Sequence, residues 1–480
     1  MGLLLVTATG ICSMMGASIN VIPFMIQKNV PGIGPYVVPA FLFAAIPAIF
    51  AAYAYAILSS AMPRAGGSYL YASRGLSPYL GFIASFSQWF GLSIVIGVIS
   101  YIIVPFIRDI FFNLGFINIS DFLEVGSVRL TISLLLIWLF VLINIVGGKV
   151  YKNTLIPMLV IMFVLGSIVL ITGLVYDQND FINSVLNSEN RVIEPTSNIK
   201  FDWKIFLTAA TLMFSSFIGF DAIAQTGNEA KNPTKNIPRA ILLAIFIVAS
   251  YYILFTISVY NIVPWSFVAD ESITKDITAP GLLSYVLPPF WGILIIIGAA
   301  IALINDLPAM ILSVSRLMFA WAKDNIFPNR VALIHSKFNT PYIAIILVGV
   351  VASIGAIGSH FAGDFFLGID IMVTSMMINF LLMCVTLISI QKVNFKLFKN
   401  ITVIKNRAIQ LFIGYTGTLI ILIFLIIHTY KDLSSNVEEW YFHSTYIYLI
   451  VMIIASIYFA LRWKTVQVKN NNTFKTLPVE

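Results

Sequence analysis

The chain has 480 residues, of which 59% are hydrophobic and only 10% are charged, and its formal net charge is +7. Soluble globular proteins carry about 25% charged residues, so this chain has too little charge to cover a water-exposed surface of its size. The composition excludes a soluble enzyme, a nucleic-acid-binding domain and a disordered regulator. It predicts a protein that lies mostly in lipid.

Runs of about 20 apolar residues, the length of a membrane-spanning helix, recur about twelve times along the chain. The predicted spans are Gly2–Gln27, Tyr36–Ser59, Leu80–Phe106, Leu130–Val146, Thr154–Val175, Trp203–Thr226, Ala240–Ile262, Phe290–Trp321, Pro341–Ile357, Phe365–Ile390, Ala408–His428 and Tyr441–Leu461. Barrel strands would instead alternate polar and apolar residues. We therefore expect an all-α integral membrane protein.

The loops between these spans divide the charges unequally. We call the side that holds Arg64 and Arg74 the basic face; it collects 20 basic residues and three acids. The other side, the acidic face, holds eight basic residues and 15 acids. The positive-inside rule makes the basic face cytoplasmic, with both termini on it, and we expect the plasma membrane. No basic residue precedes the first span, which we interpret as a true span, from a chain whose short basic tail is missing here, and not as a cleaved signal.

Two spans are interrupted by small and polar residues near mid-membrane. The first contains the segment Thr9–Ser18, and the sixth contains Phe214–Asp221, each with Gly and Ser. Such residues can serve close helix packing, but a pair at corresponding positions of two halves indicates a transporter substrate site. The predicted organisation is one transmembrane domain, 1–480. It comprises inverted repeats of five helices at 1–176 and 202–391, two further helices in 406–463, and a short tail, 464–480.

A broken helix leaves backbone N–H groups free at one half-helix end and C=O groups at the other. The N–H groups can hold a carboxylate and the C=O groups an ammonium. A zwitterionic α-amino acid is the ligand that this arrangement predicts.

Several stretches of the sequence resemble one family, the amino acid–polyamine–organocation (APC) transporters. They are Met15–Ile19, Met62–Ala72, Ile218–Ala222, Asn228–Pro233, Ile237–Ala240, Ser315–Ala320 and Ala322–Asn325 with Pro328. They occur in the family's order over nearly the whole chain, and the sixth-span region most resembles the branch related to cationic amino acid transporters. The resemblance implies a fold of five-plus-five inverted repeats with discontinuous first and sixth helices.

The resemblance also implies a substrate site on the backbone of the two breaks. The substrate carboxylate is expected near Met15, Gly16, Ala17 and Ser18, and the ammonium near Ser215, Ser216 and Ile218. This chain departs from relatives that place a Lys in the fifth span or a Glu in the third, since Pro157–Met162 and Ser87–Gly91 contain neither. Two known routes of proton coupling are therefore absent.

Three acids lie within spans, where charged residues are functional hypotheses by default. Asp221 is either a helix cap or a titrating site. Asp306, two residues before Pro308, is either a polar contact at a kink, a proton site or a partner for a cationic substrate group. Asp370 fits an interfacial role or an outer gate, and Phe214 and Phe217 are candidates to close over substrate.

The sequence favours a secondary active transporter of amino acids, coupled to a proton gradient or to exchange against a second solute. Sodium coupling is disfavoured by the resemblance but stays open. The alternatives are an amine or polyamine exchanger of the same fold and a non-transporting amino acid sensor. An enzyme is disfavoured because no set of catalytic residues is visible. The expected partners are an amino acid or amine, a proton or counter-substrate, and lipid, with no cofactor, metal or nucleic acid; we expect a monomer or weak homo-oligomer.

Overall fold

A computed structural model describes residues 1–16, 18–193, 199–274, 277–362, 366–435, 439–469 and 474–478. Among these residues, twelve helices are long and apolar enough to cross a membrane. We number them spans 1 to 12 in chain order: Leu3–Asn29, Gly34–Ala61, Pro78–Asn113, Gly126–Val146, Asn153–Val175, Trp203–Gln225, Pro233–Ile262, Pro289–Lys323, Tyr342–Phe361, Leu367–Val393, Arg407–Ser434 and Ser444–Trp463. The prediction of an all-helical membrane protein with about twelve spans is confirmed.

Spans 3 and 8 form the centre of the molecule. They are the longest, with 36 and 35 residues, and they pack against each other. At 1.5 Å per residue each extends for about 50 Å, well beyond a hydrocarbon core of about 30 Å. Span 3 begins at Pro78, which fits the first helical turn because its missing N–H needs no partner there, and the Ser77 hydroxyl caps it by accepting from the Leu80 N–H at 3.2 Å.

The other spans form two groups around this centre. In the first group, which contains spans 1, 2, 6 and 7, span 7 packs against spans 1 and 2, and span 6 packs against span 2. In the second group, spans 9 and 10 pack against the central span 3. Spans 4, 5, 11 and 12 bury at most a third of their apolar windows, whereas the window of span 1 is completely buried. Their apolar exterior therefore faces lipid, and span 1 lies inside the bundle.

A buried ion pair links two helices at the basic face. Arg74, in the short helix Gly67–Gly75 before span 3, contacts Asp324 at the end of span 8 at 2.6 Å, and the Tyr69 hydroxyl donates to the same carboxylate at 2.6 Å. Burial acts to lower the pKa of Arg74, but the carboxylate of Asp324 raises it above its usual value. The guanidinium stays charged, and the pair holds the loop between spans 2 and 3 against span 8.

Candidate functional site

Span 1 is divided into two half-helices, Leu3–Met14 and Ser18–Asn29. The Met15 backbone leaves the helical region, with φ −89° and ψ 68°. The Met14 carbonyl accepts a hydrogen bond from the Tyr252 hydroxyl of span 7 at 2.6 Å. One carbonyl freed by the break is thus satisfied by a side chain, while the second half-helix begins with N–H groups that lack partners within the helix.

Span 6 is interrupted in a different way. The helix Trp203–Met213 tightens into a 3₁₀ turn, Phe214–Phe217, and Ile218 is then extended with φ −82° and ψ 137°. Gly219 follows with φ +132°, in the region that favours glycine. A short helix, Ala222–Gln225, completes the span.

The two breaks touch each other. A Cβ atom on Gly219 would lie 2.1 Å from the backbone oxygen of Ser13, so the two backbones approach closely only because residue 219 is glycine. This contact brings the predicted carboxylate and ammonium sites of the two breaks together in space.

A cavity opens beside the breaks, with about 580 Å³ of empty space when the part open to solvent is included. Ser13, Met14 and Gly16 of span 1, Ser215 and Ile218 of span 6 and Asp306 of span 8 line it, and further lining residues come from spans 1, 3, 8 and 10. These are Val21, Ile22, Val95, Val98, Ile99, Ile102, Met310, Ile369 and Met372. Spans 1 and 3 run from the basic to the acidic face, and span 10 runs the other way. Val21 and Ile22 follow the break in span 1, and Ile369 and Met372 lie at the start of span 10. The cavity therefore lies on the acidic-face side of the breaks. Apart from the backbone, Asp306 and two serines, the described lining is apolar.

Asp306 is the ionisable side chain in the described lining of the cavity. It is 3% exposed, and its Oδ1 has no hydrogen-bond partner among the described residues. A Cβ atom on Gly16 would lie 2.4 Å from its Oδ2. Its neighbour Asn305 points elsewhere, donating to Cys12 Sγ at 3.0 Å and to the Leu155 carbonyl at 3.4 Å. The carboxyl group therefore lies at the break of span 1 with one oxygen unpaired.

Asp221 lies in a polar cluster between the cavity and the basic face. Gln88 Nε2 donates to its Oδ2, and the Gly219 N–H donates to its Oδ1 at 3.1 Å. Gln88 in turn accepts from the Ser68 hydroxyl at 2.5 Å and from Gln225 at 3.3 Å. Both oxygens of Asp221 are thus engaged, and the cluster joins spans 3 and 6 to the loop after span 2.

Two predicted gate residues, Phe214 and Phe217, lie outside the described cavity lining. Phe214 packs against Phe380 and Phe424, with ring centroids 6.0 and 6.3 Å apart, and Phe217 packs against Phe41 at 5.2 Å. Both phenylalanines are completely buried. Their contacts are those of core packing, so nothing in this arrangement requires either ring to close over a substrate.

The other four predicted substrate-binding positions are Ser216, Met15, Ala17 and Ser18. Ser216 is buried with no described partner for its hydroxyl. Met15 lines a second, smaller cavity between span 1 and spans 5, 7 and 8, together with Asn20. Ala17 lies outside the described residues, and of Ser18 only the backbone is described.

Asp370 joins two helices. Its carboxylate contacts Lys431 of span 11 at 3.4 Å, and its backbone carbonyl lies 3.3 Å from Nε2 of the buried His428. Asp370 is therefore an inter-helical contact near the acidic face, next to the cavity residue Ile369 but directed toward span 11.

Sequence reasoning missed the partners of Asp221 and the walls of the cavity. Gln88 lies in the segment of span 3 that was noted only for lacking a glutamate, and no periodic signal marks Val95, Ile99 or Ile102 as cavity residues within a uniformly apolar helix. Among the described residues, no group of three or more His, Cys, Asp or Glu side chains could hold a metal ion.

The fold and the site together define a multi-pass α-helical membrane protein with a cavity at two broken helices. The amino acid permease family model matches residues 1–455, and the chain belongs to that family. The predicted resemblance to the APC transporters is thereby confirmed. The family and the relatives below indicate a transporter and not an enzyme.

Similar proteins match over shorter segments. An uncharacterised transporter of Mycobacterium tuberculosis is 34% identical over 152 residues, which are 31% of this chain and 33% of that protein. The branched-chain amino acid permease BcaP of Bacillus subtilis is 28% identical over 150 residues, 31% of each chain. The cationic amino acid transporter 4 of Mus musculus is 28% identical over 157 residues, 33% of this chain and 24% of that protein. The chain thus spans about a third or less of the length of these curated relatives, and their names differ in substrate.

Proposed function

We propose that this protein is a secondary active transporter that carries an α-amino acid with an aliphatic side chain across the plasma membrane, together with protons. The observation that carries the proposal is the cavity at the contact between the two helix breaks. Backbone groups of opposite polarity meet there, which suits a zwitterion, and membership of the amino acid permease family supports the same substrate class.

The two ends of the amino acid would bind to different breaks. The substrate carboxylate would bind near Gly16, where the helix dipole and the first N–H groups of the second half of span 1 favour an anion. The Gly16 N–H itself donates to the Met14 carbonyl at 3.1 Å, so the N–H groups after it would hold the carboxylate. The ammonium would bind near Ser215 and Ile218, where span 6 departs from helical geometry. Ser13 adds a hydroxyl that has no described partner. Of the predicted substrate-binding residues, Met15, Ala17, Ser18 and Ser216 would contribute as part of the same two segments.

The walls of the cavity favour an aliphatic side chain. Val95, Val98, Ile99 and Ile102 of span 3 and Met372 of span 10 face the space that a substrate side chain would occupy. A guanidinium or ammonium buried against these walls would lack partners. Binding such a side chain would be disfavoured, because an unpaired buried charge costs several kcal/mol. Asp306, the one acid in the described lining, lies instead at the span 1 break, where the substrate backbone would bind.

Alternating access is the proposed mechanism. The cavity lies toward the acidic face, which the charge distribution makes extracellular, and the Asp221 cluster and the Arg74–Asp324 pair lie between it and the basic face. Rocking of one helix group against the other, within two inverted repeats at 1–176 and 202–391, would open the basic-face side. Coupling would use a titrating acid, Asp306 or Asp221.

The proposal is tested with purified protein in sodium-free liposomes. Labelled leucine, valine, lysine and putrescine are offered with and without an inward pH gradient. We expect gradient-driven uptake of leucine and valine and little uptake of lysine or putrescine. Uptake that requires preloaded solute would make the protein an exchanger, and binding of amino acids without flux would favour a sensor.

A pair of isoleucines tests the placement of the cavity. Ile99 lines it, whereas Ile371 packs against Phe90 and Tyr448 outside it, although both are buried. We expect Ile99→Ala to weaken leucine affinity and its preference over smaller amino acids by tenfold or more, because each methylene in an apolar pocket is worth about 1–3 kcal/mol of discrimination. Ile371→Ala should leave the substrate preference unchanged. The reverse pattern would contradict the site.

A further inference from the structure

Asp306 combines three features that the proposed transport cycle does not by itself explain. It is buried, its Oδ1 has no described partner, and its Oδ2 faces the Cα of Gly16 at the break of span 1. A buried polar atom that faces a cavity and lacks a protein partner usually forms its hydrogen bond with a ligand or with water. Asp306 is thus placed to contact whatever binds at this break.

The charged and titratable groups around Asp306 do not neutralise it. From span 1, Cys12 is the nearby titratable side chain, and it is engaged by Asn305. From the first turn of the helix that continues into span 5, the Tyr151 hydroxyl donates to Thr9 at 3.3 Å. Both groups are neutral in their ordinary state and supply no positive charge.

The other helices packed near Asp306 also provide no described cation in the cavity. The lining contributed by spans 3, 6 and 10 contains no ionisable side chain within the described residues. Asp221 of span 6 is engaged by Gln88. Arg129 and His360, the charged or titratable groups of spans 4 and 9 on the acidic-face side, both contact Tyr101.

A substrate carboxylate bound at Gly16 would therefore lie beside a second carboxyl group in a mostly apolar cavity. Two carboxylates that share such a site cannot both be ionised, because their repulsion is little screened there. One proton between them removes the repulsion and allows a short, charge-assisted O–H···O hydrogen bond.

We propose that Asp306 enters the substrate complex as the neutral acid and donates its O–H to the substrate carboxylate, so that each amino acid is bound with one proton. This inference rests on the proposed function and assigns the coupling to one of its two candidate acids. The proton comes from the water on the side to which the cavity opens. When the substrate leaves on the other side, water enters the cavity, solvates Asp306 and accepts the proton.

The proposed hydrogen bond from Asp306 requires a carboxylate on the ligand. A ligand with the same side chain and ammonium but no carboxylate creates no repulsion with Asp306, and it needs no proton to bind. L-leucine and L-leucinol are such a pair, because leucinol replaces the carboxylate with an alcohol.

Calorimetry of the purified full-length protein, in buffers of different ionisation enthalpy, measures protons taken up per ligand bound. On the alkaline side of the optimum we expect about one proton per L-leucine and a leucine Kd that rises tenfold per pH unit, as linkage requires for one proton. For L-leucinol we expect no uptake and no such slope. Equal proton uptake for the two ligands would overturn the proposal, and this comparison needs no variant.

Two variants compare the two acids. Asp306→Asn is an uncharged mimic of the protonated acid, and we expect leucine binding without proton uptake and without pH dependence, together with loss of gradient-driven accumulation. Asp221→Asn should still take up one proton per leucine. Proton uptake that survives in Asp306→Asn, or that disappears only in Asp221→Asn, would overturn the assignment.

These outcomes separate the inference from the proposed function. Leucine flux into liposomes that contain the wild-type protein, without any proton uptake on binding, would refute the role of Asp306 but not the proposed amino acid transport. Absence of both binding and flux for every amino acid offered would refute the proposed function, and this inference with it.

Discussion

Asp221 and Asp306 are buried acids in two spans that line the same cavity, yet their surroundings differ. Both oxygens of Asp221 accept hydrogen bonds, from Gln88 and from the Gly219 N–H. The Oδ1 of Asp306 has no described partner, and its carboxyl group faces the cavity. A buried carboxyl group whose hydrogen bonds are satisfied within the protein stabilises one arrangement of helices, whereas an unsatisfied one is available to a proton or a ligand.

The largest effect is expected at Gly219, whose backbone N–H donates to Asp221. We expect Gly219→Ala to prevent stable folding, because its Cβ would meet the Ser13 backbone at 2.1 Å and its φ of +132° disfavours any side chain. Expression and the thermal unfolding midpoint in detergent measure the effect. Gly358→Ala is the control, since a Cβ there meets nothing within 4 Å. A wild-type midpoint for Gly219→Ala would show that the breaks do not touch in this way.

A direct comparison of the two acids should give the next largest effect. Asp221→Ala leaves Gln88 and the Gly219 N–H without an acceptor, so we expect the free energy of unfolding to fall by about 2–3 kcal/mol. Asp306→Ala removes a carboxyl group with an unpaired oxygen, and we expect a change within about 1 kcal/mol. Denaturant titration of both variants measures the difference, and an equal loss in the two would contradict the contrast between them.

A double-mutant cycle sharpens the contact between Gly16 and Asp306. The methyl group of Gly16→Ala would lie 2.4 Å from Asp306 Oδ2, which must rotate away. We expect a loss of stability of about 1–2 kcal/mol that is partly restored when Asp306→Ala is added, with a coupling energy of about 1 kcal/mol. Strict additivity of the two changes would show that these residues do not meet.

The smallest effect is expected where a carboxylate is paired but partly exposed. Glu229 accepts two hydrogen bonds from Arg316, at 2.7 and 3.0 Å, and its side chain is 31% exposed. We expect Glu229→Gln to lower the free energy of unfolding by about 1 kcal/mol or less, and the loss to shrink at high salt, because solvent screens the pair. A loss as large as that of Asp221→Ala would mean that pairing alone, and not burial, sets the cost.

The breaks and the spans follow from local sequence. Span number and helical character depend on run length and hydropathy, which any segment carries by itself. All twelve predicted spans appear, although spans 3 and 7 extend up to seven residues beyond their predicted bounds. The breaks in spans 1 and 6 were also predictable, because Gly and Ser clusters weaken a helix wherever it packs.

The environment of each side chain was decided by tertiary structure. Nothing in the local sequence distinguishes Asp221, which meets Gln88 from 133 residues away, from Asp306, which meets Gly16 from 290 residues away. Phe214 and Phe217 look alike as gate candidates, yet their rings pack into the core because of how span 6 is rotated. In helices that are apolar on every side, periodicity carries little information about which side faces the cavity, so rotation and partners are set by packing between helices distant in sequence.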